Sequence, residues 1–270
     1  VCQGEGTTLT AGVTGSNPGV SPFTYHWYNN STNSTLSTGN LSGDATYSVT
    51  VTDASGCVSE AETTVLISNP QLSVSHTDAC YGQNNGTATV TVTNTDHAVG
   101  SYRYAWAGRT AVETSSASNT ITGLAPDTYM VTVTDLTSGC SATASITVEQ
   151  LSQINVSASS NSPICSGNTA TVNAGTISGG ASPYTYSWNG GTYGTSTSYT
   201  TSTLTSSYTV TLTVKDNNGC TALTTAPITV NPRPTATVSG GGEICNGDNS
   251  TFTITFTGVA PYSYTWSDGS

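Results

Sequence analysis

The most regular feature of the chain is the alternation of apolar residues with Thr or Ser over short stretches. It is clearest over residues 88–93, 145–148, 171–174 and 251–257. Because successive side chains of a strand point to opposite faces, this pattern predicts antiparallel strands with one buried and one solvated face. Gly, Asn, Ser and Pro fill the intervals as turns, and no window has helical periodicity. The pattern therefore predicts an all-β chain built from β-sandwiches.

The same landmarks recur three and a half times along the chain. Each copy opens with a Cys-x-Gly turn, and these begin at Cys2, Cys80, Cys165 and Cys245. An aromatic strand ending in Trp follows, over residues 23–27, 102–106, 184–188 and 262–266. The complete copies then have a Tyr-led strand ending in Asp and a Gly-Cys turn, over residues 47–57, 129–140 and 208–220. This repetition predicts a tandem array, an architecture suited to reach and to many contacts.

The repeats divide the chain at short polar or Pro-containing joints near residues 68–70, 149–152 and 230–234. The predicted domains are repeat 1 (1–69, which lacks its first strand), repeat 2 (70–150), repeat 3 (151–231) and the partial repeat 4 (232–270). Proline stiffens such joints, so we expect a rod with limited bending. We also expect the chain to be a window from a longer repetitive polymer.

The charge is sparse and acidic, which excludes several classes of partner. The 270 residues have a formal charge of -11, and Lys215 is the single lysine. Nucleic acids and anionic membrane surfaces require basic patches, so we expect neither as a partner. No apolar run approaches the ~20 residues of a membrane span, so we expect no membrane insertion by this segment.

Seven cysteines fall in one register, two in each complete repeat. No CxxC motif or Cys/His cluster indicates zinc. Regular cysteines in small Thr-rich modules predict disulfides and an extracellular, oxidising location. We expect pairing within a repeat, with pairing between neighbouring repeats as the alternative, because the sequence does not fix whether both cysteines lie at the same end of a module. The expected pairs are Cys2–Cys57, Cys80–Cys140 and Cys165–Cys220, with the partner of Cys245 outside the chain.

Three motifs together, Pro-Tyr-x-Tyr-x-Trp, Tyr-x-Val-Thr-Val-x-Asp and Asp-x-x-Gly-Cys, resemble the immunoglobulin-like and PKD-like repeats of giant Bacteroidota surface proteins. The comparison is with gliding adhesins of the SprB type, which are substrates of the type IX secretion system. The resemblance implies tandem Ig-like/PKD-like β-sandwiches and a cell-surface role in adhesion. The Trp-x-x-Gly-Asp-Gly signature of PKD modules is approached only after Trp266, and the cysteine spacing differs from that of the antibody core disulfide.

Two sets of residues are candidates for binding sites. Trp27, Trp106, Trp188 and Trp266 occupy one register and alternate with other aromatics, so we expect them to be core aromatics rather than sugar-stacking platforms. Asp53, Asp135 and Asp216 end the same strand in each complete repeat, and we expect them to form Asx turns. Calcium binding by these aspartates is the weaker alternative. No other cofactor is predicted.

No pattern of residues indicates catalysis. His26, His76 and His97 occupy unmatched positions, and the chain has no Gly-x-Ser-x-Gly, P-loop or recurring carboxylate pair. We therefore predict a non-catalytic repetitive shaft of a large extracellular adhesin or surface filament. Its partners would be surface glycans or proteins of a substratum or another cell, and it could also self-associate into a fibre. The alternative is a spacer or carbohydrate-binding array of a secreted multidomain hydrolase.

Overall fold

The computed structural model describes residues 1–15, 18–93 and 100–267, and all regular structure in these ranges is β. The predicted fold class is confirmed: the chain is a tandem array of immunoglobulin-like β-sandwich repeats. Two compact units divide it, Val1–Gln150 and Leu151–Ser270. Of the three histidines considered above, His97 lies outside the described residues.

Repeat 1 forms two antiparallel sheets in the first unit, with strand order β1-β3 and β2-β4-β5. Its strands are β1 (Thr8–Thr10), β2 (Thr24–Trp27), β3 (Thr35–Ser37), β4 (Ala45–Thr52) and β5 (Val58–Val65). Side chains from both sheets meet in one core that includes Trp27, Leu36 and Val49. The predicted Tyr-led strand is β4, in which Tyr47 and Val49 are buried and Thr46 and Ser48 are exposed, as the sequence indicates.

Repeat 2 has the fuller sandwich, with strand orders β10-β7-β6 and β12-β11-β8-β9. Its strands are β6 (Leu72–Thr77), β7 (Gly86–Val92), β8 (Tyr102–Trp106), β9 (Val112–Thr114), β10 (Ser118–Leu124), β11 (Asp127–Asp135) and β12 (Ser141–Val148). Every second residue of β7 is buried, because Ala and Val alternate with Thr. Val90 and Val92 from this strand pack with Tyr104 and Val133 of the other sheet.

Repeat 3 has the same organisation in the second unit, with sheets β13-β15-β17 and β16-β18-β19 and a short parallel pair, β14-β20. Its strands are β13 (Ala158–Ser160), β14 (Ile164–Cys165), β15 (Thr171–Ala174), β16 (Thr185–Trp188), β17 (Ser198–Thr200), β18 (Tyr208–Lys215), β19 (Thr221–Ile228) and β20 (Val230–Asn231). The aromatic and Tyr-led strands pair in one register in all three repeats. The facing positions are Trp27 and Val49, Trp106 and Val131, and Trp188 and Leu212.

Repeat 4 contributes one antiparallel pair, β21 (Thr235–Gly240) with β22 (Phe252–Thr257). The prediction of an aromatic strand over residues 262–266 is wrong, since these residues have no strand structure. In the other repeats this strand pairs with the Tyr-led strand, which has no counterpart among the residues of repeat 4. Without that neighbour, the backbone of residues 262–266 has no ladder to join.

The two kinds of cysteine turn lie at opposite ends of a repeat. Cys2 forms a parallel bridge with Ser68, so the Cys-x-Gly turn lies beside the last residues of repeat 1. The Gly-Cys turn precedes the last long strand: Cys57 comes directly before the eight residues of β5. A strand of that length spans roughly 26 Å. The same arrangement occurs in repeat 2, where Ala79 bridges to Gln150.

The structure overturns the expected disulfide pairing. Cys2 is bonded to Cys140, so the bond joins the first cysteine of repeat 1 to the second cysteine of repeat 2. Pairing within a repeat is wrong because a disulfide requires the two Cα atoms to lie within about 7 Å, far less than the length of the intervening strand. The alternative pairing between neighbouring repeats is the one observed.

The remaining cysteines fall into two groups. Cys80 and Cys220 are disulfide-bonded, whereas Cys57, Cys165 and Cys245 are exposed free thiols in the described part of the chain. The expected pairs Cys2–Cys57, Cys80–Cys140 and Cys165–Cys220 are therefore all wrong. The expectation that Cys245 has a partner outside the chain stays a prediction.

Candidate functional site: the covalent junction of repeats 1 and 2

The Gly-Cys turn of repeat 2 is a compact loop that holds Cys140 in place. The Asp135 N–H donates to the Cys140 carbonyl at 2.9 Å, and the Gly139 N–H donates to the Asp135 carbonyl at 2.8 Å. Gly139 has a φ of 76°, a left-handed conformation that glycine adopts without steric cost. The Asp135 carboxylate accepts from the Thr137 N–H and the Ser138 hydroxyl, both at 2.8 Å. The motif is thus an Asx turn that fixes the direction of the cysteine.

The Cys-x-Gly turn of repeat 1 presents the other sulfur. The Glu5 N–H donates to the Cys2 carbonyl at 3.0 Å, and Gly4 has a φ of 85°. These features are typical of a turn that needs glycine at its third position. The Gln3 N–H also donates to the Ser68 carbonyl at 3.1 Å, which ties the turn to the end of repeat 1.

The two turns meet in a buried contact that is both covalent and hydrogen-bonded. Besides the disulfide from Cys2 to Cys140, the Ser138 hydroxyl donates to the Ser68 hydroxyl at 3.0 Å. Cys140 has 2% of its surface exposed, Ser68 has 7% and Asp135 has 1%. Cys2 and Ser138 are half-buried, so the junction has a buried centre and a partly solvated rim. Chemically, this arrangement forms a fixed link between consecutive repeats.

The carboxylate of the turn also affects the neighbouring core. The pKa of Tyr102 is raised from its usual value by burial, and secondarily by the negative charge of Asp135. Burial likewise raises the pKa of Tyr104 to about 12, with a smaller contribution from Tyr102. The Tyr104 hydroxyl donates to the Ser116 carbonyl at 2.8 Å. Both phenols are protonated at neutral pH, and the Tyr104 hydroxyl acts as a structural donor rather than as a base.

The four tryptophans lie in separate repeats, and the two in the first unit are buried. The Trp27 indole N–H donates to the Asn33 carbonyl at 2.8 Å, and that of Trp106 donates to the Asn119 side-chain oxygen at 2.8 Å. Their ring faces are covered by core side chains, which leaves no platform for a sugar.

Trp188 and Trp266, in the second unit, are half-buried. Trp188 stacks on Tyr199 with a ring-centroid distance of 5.9 Å, and the Trp266 ring lies 6.1 Å from that of Phe252. The Trp188 indole N–H donates to the Ser196 carbonyl at 3.2 Å.

The other two candidate aspartates cap their own Gly-Cys turns. The Asp53 carboxylate accepts from the N–H groups of Cys57, Ser55 and Val20 at 2.9, 2.8 and 3.1 Å. These bonds, led by the one from Cys57 and then that from Val20, lower the pKa of Asp53 below its usual value.

Asp216 accepts in the same way from the N–H groups of Asn218, Cys220 and Ala181. The oxygens of both aspartates are directed at backbone donors, as in an Asx turn. Within residues 1–15, 18–93 and 100–267, no group of three or more His, Cys, Asp or Glu side chains is placed to hold a metal ion.

The sequence did not indicate that Ser68 and Ser138 contact each other at the junction. Serine is abundant throughout the chain, so neither stands out by type. Ser138 could be found from register, because it precedes the Gly-Cys pair just as Ser55 does in repeat 1. Ser68 lies in the joint that the sequence marks at residues 68–70, but its place beside Cys2 comes from a parallel bridge that no local pattern signals.

Comparisons with known proteins show no family for this chain. No protein-family model matches the chain, and a comparison with curated proteins finds no match. Three N-terminal domains of the Hoc outer capsid protein of bacteriophage RB49 are 18% identical, with a TM-score of 0.48, covering 85% of this chain and 94% of that one.

Two further solved structures are similar at lower TM-scores. Part of a 1.5-MDa bacterial ice-binding adhesin is 18% identical, with a TM-score of 0.38, covering 84% of this chain and 91% of that one. SGBP-B of the mixed-linkage glucan utilization locus of Bacteroides ovatus, in complex with a mixed-linkage heptasaccharide, is 14% identical, with a TM-score of 0.19, covering 92% of this chain and 70% of that one. The described residues contain no helix long and apolar enough to cross a membrane.

Proposed function

We propose that this chain is a non-catalytic section of the shaft of a large extracellular adhesin or surface filament. The shaft holds a distal part of the protein away from the cell and makes weak contacts with surface glycans or proteins of a substratum or another cell. The four sequence repeats are its modules, with boundaries at 69/70, 150/151 and 231/232. The observation that carries this proposal is the disulfide between Cys2 and Cys140, because it joins two consecutive modules.

A disulfide between modules suits a protein that is pulled. A flexible joint lets modules separate and rotate, whereas a second covalent link beside the joint at Asn69 and Pro70 limits both motions. Disulfides persist in oxidising compartments, which supports an extracellular location. The shaft therefore combines reach with resistance to extension.

The surface of the modules suits many weak contacts rather than one strong contact. Polarity comes mainly from Thr, Ser, Asn and Gly, and only 7% of residues are charged. Contacts through such a surface depend little on salt, since few charges are available to be screened. A tandem array turns weak single contacts into stable attachment by raising the effective concentration of each further contact.

We also propose that the shaft belongs to a SprB-type gliding adhesin, which a Bacteroidota cell exports by its type IX secretion system. It is supported by the recurrence of the Pro-Tyr-x-Tyr-x-Trp and Gly-Cys motifs. Self-association into a fibre is a further option, since β5 lies at a sheet edge and is exposed along most of its length.

The second candidate is a spacer or carbohydrate-binding array in a secreted multidomain hydrolase. The half-buried Trp188, stacked on Tyr199, is the feature that favours sugar binding. This candidate predicts that the chain binds an oligosaccharide and that Trp188→Ala abolishes binding. The shaft proposal predicts little affinity for any soluble sugar, with Tyr193→Ala as a matched exposed aromatic control.

The experiment that tests the shaft proposal is negative-stain electron microscopy of the parent protein, sheared from cells without reductant. We expect long beaded threads with a spacing of a few tens of ångströms, since each module adds roughly 30 Å. Short arms that end in a globular head would contradict the shaft and favour the hydrolase spacer.

A further inference from the structure

The Gly-Cys turn of repeat 1 is one residue shorter than the turn that holds Cys140 in repeat 2, but it closes with the same two backbone hydrogen bonds. The Asp53 N–H donates to the Cys57 carbonyl at 3.0 Å, as Asp135 does to Cys140 at 2.9 Å. Gly56 has a φ of 82°, close to the 76° of Gly139. In both turns the Asp N–H donates to the Cys carbonyl and the Gly N–H donates to the Asp carbonyl, and the turn of repeat 1 closes in this way with Cys57 unbonded.

The two turns differ in what covers them. Cys140 is buried and bonded to Cys2, whereas Cys57 is exposed and has a free thiol within the described residues. Asp135 is buried, whereas Asp53 is only half-buried. Because both turns close with the same backbone bonds, we attribute the greater burial in repeat 2 to Cys2 and Ser68 of repeat 1, which lie on it.

A groove beside Cys57 marks where a similar segment would lie. Its volume is about 410 Å³, and its wall includes Phe23, Val51 and Val58 together with Asp53. Val58 has 61% of its surface exposed, so part of the apolar wall is uncovered. The groove thus combines apolar surface, a turn with a fixed direction and a thiol that can form a disulfide.

The Cys-x-Gly turn of repeat 3 has complementary features. Cys165 belongs to a Cys-x-Gly turn and is an exposed free thiol in the part of the chain that is described. It lies at a cavity of about 500 Å³ whose wall includes Pro232, Phe256 and Tyr262. The Cys-x-Gly turn of repeat 3 thus combines an available thiol with an open apolar wall.

We propose that the Gly-Cys turn of repeat 1 is the docking site for the Cys-x-Gly turn of another repeat of this kind, which forms a disulfide with Cys57. The docking turn and the last residues of its repeat would lie on repeat 1 as Cys2 and Ser68 lie on repeat 2. This inference deepens the proposed shaft function, since it makes the covalent junction a general rule of the array rather than a single feature.

The bond forms by oxidation of two thiols. Cys57 and the cysteine of the docking turn each lose a proton, and the pair gives two electrons to a dithiol–disulfide oxidoreductase in its disulfide form. One sulfur–sulfur bond forms in the protein, and the one in the oxidoreductase breaks to leave a dithiol. In vitro, oxidised glutathione fills the same role and leaves as two molecules of the thiol.

The test uses the full chain with one added repeat. Residues 1–79, with Cys57→Ser in this added copy only, are placed directly before Cys2 of the original chain, so that the natural order of joint, first strand and Cys-x-Gly turn is kept. The protein is oxidised with glutathione, alkylated and digested without reductant, and its disulfides are mapped by mass spectrometry. The N-terminal peptide identifies the Cys2 of the added copy by its mass.

We expect Cys57 to be bonded to the Cys2 of the added copy and its alkylation to fall at least tenfold relative to the unextended chain. Cys2→Ser in the added copy is the matched control and should restore full alkylation. The bond between the original Cys2 and Cys140, mapped in the same digest, verifies that the array has folded.

Unchanged alkylation of Cys57 in a chain that retains the original bond would overturn the proposal. Bonding of Cys57 to its own Cys2, or to a second copy of the chain, would overturn it as well. The disulfide map does not depend on attachment to any surface. A chain with the expected bond and no adhesive behaviour would therefore contradict the shaft function and leave this inference intact.

Discussion

The hydroxyl of Ser138 donates a hydrogen bond to the hydroxyl of Ser68 at 3.0 Å, across the junction between repeats 1 and 2. The two residues are 70 positions apart in the sequence, and Ser68 is buried. The bond lies beside the disulfide from Cys2 to Cys140, so the junction is held by a polar contact as well as a covalent one.

The first prediction concerns this hydrogen bond. A double-mutant cycle with Ser68→Ala, Ser138→Ala and the double variant should give a coupling of about 1 kcal/mol, typical of a neutral hydrogen bond. The free energy of unfolding of the disulfide-intact protein is measured by denaturant titration. Ser59→Ala, at an exposed position of β5, is the control and should change stability by less than about 0.5 kcal/mol. A coupling near zero would mean that the serines only lie close together.

The second prediction concerns the stability of the Gly-Cys turn of repeat 1 at low pH. Since backbone donors lower the pKa of Asp53, its carboxyl should titrate below 3.8 in the folded chain. A lowered folded-state pKa means that the contribution to stability is present above the unfolded-state value and is lost as the pH falls through the folded-state value. NMR titration of the carboxyl carbon measures this, with the urea-unfolded chain as reference. A folded-state value equal to the unfolded one would contradict the hydrogen bonds assigned to Asp53.

The third prediction concerns the stability of repeat 2 at high pH. Burial raises the pKa of Tyr104 from 10.0 to about 12, so its folded form favours the neutral phenol. For a raised pKa, the contribution to stability is complete below pH 10 and is lost as the pH rises through about 12. Ultraviolet titration of phenolate should show a late step that is missing in Tyr104→Phe. If all tyrosines of the folded chain titrate together near pH 10, the burial assigned to Tyr104 is wrong.

The local pattern of the sequence was enough to predict the strands and, for many of their residues, which side chains are buried. The alternation over 88–93 became β7 with every second residue buried, and the Tyr-led stretches became β4, β11 and β18. These features depend on the two-residue period of a strand and on the alternation of apolar and polar side chains, and both can be read from residues that are neighbours in the sequence.

The disulfide pairing could not be predicted in the same way. It depends on which end of a module carries each cysteine, and this is set by the parallel bridge between Cys2 and Ser68. Parallel pairing of residues so far apart leaves no periodic trace in the sequence. The length of β5 and β12 was the available clue, because a cysteine that precedes an eight-residue strand cannot reach a turn beside the end of that strand.

The bond between Cys2 and Cys140 is the central claim, and extension of single molecules by force tests it most directly. The chain is tethered at its two termini in a background of Cys80→Ser and Cys220→Ser, so that only this disulfide limits extension, and Cys140→Ser is the matched control. With a sequence separation of 138, the closed bond should shorten the fully extended chain by roughly 450–500 Å, and reductant should restore that length. A shortening of roughly 190 Å would instead indicate pairing of Cys2 with Cys57, and equal lengths with and without reductant would show that no such bond exists.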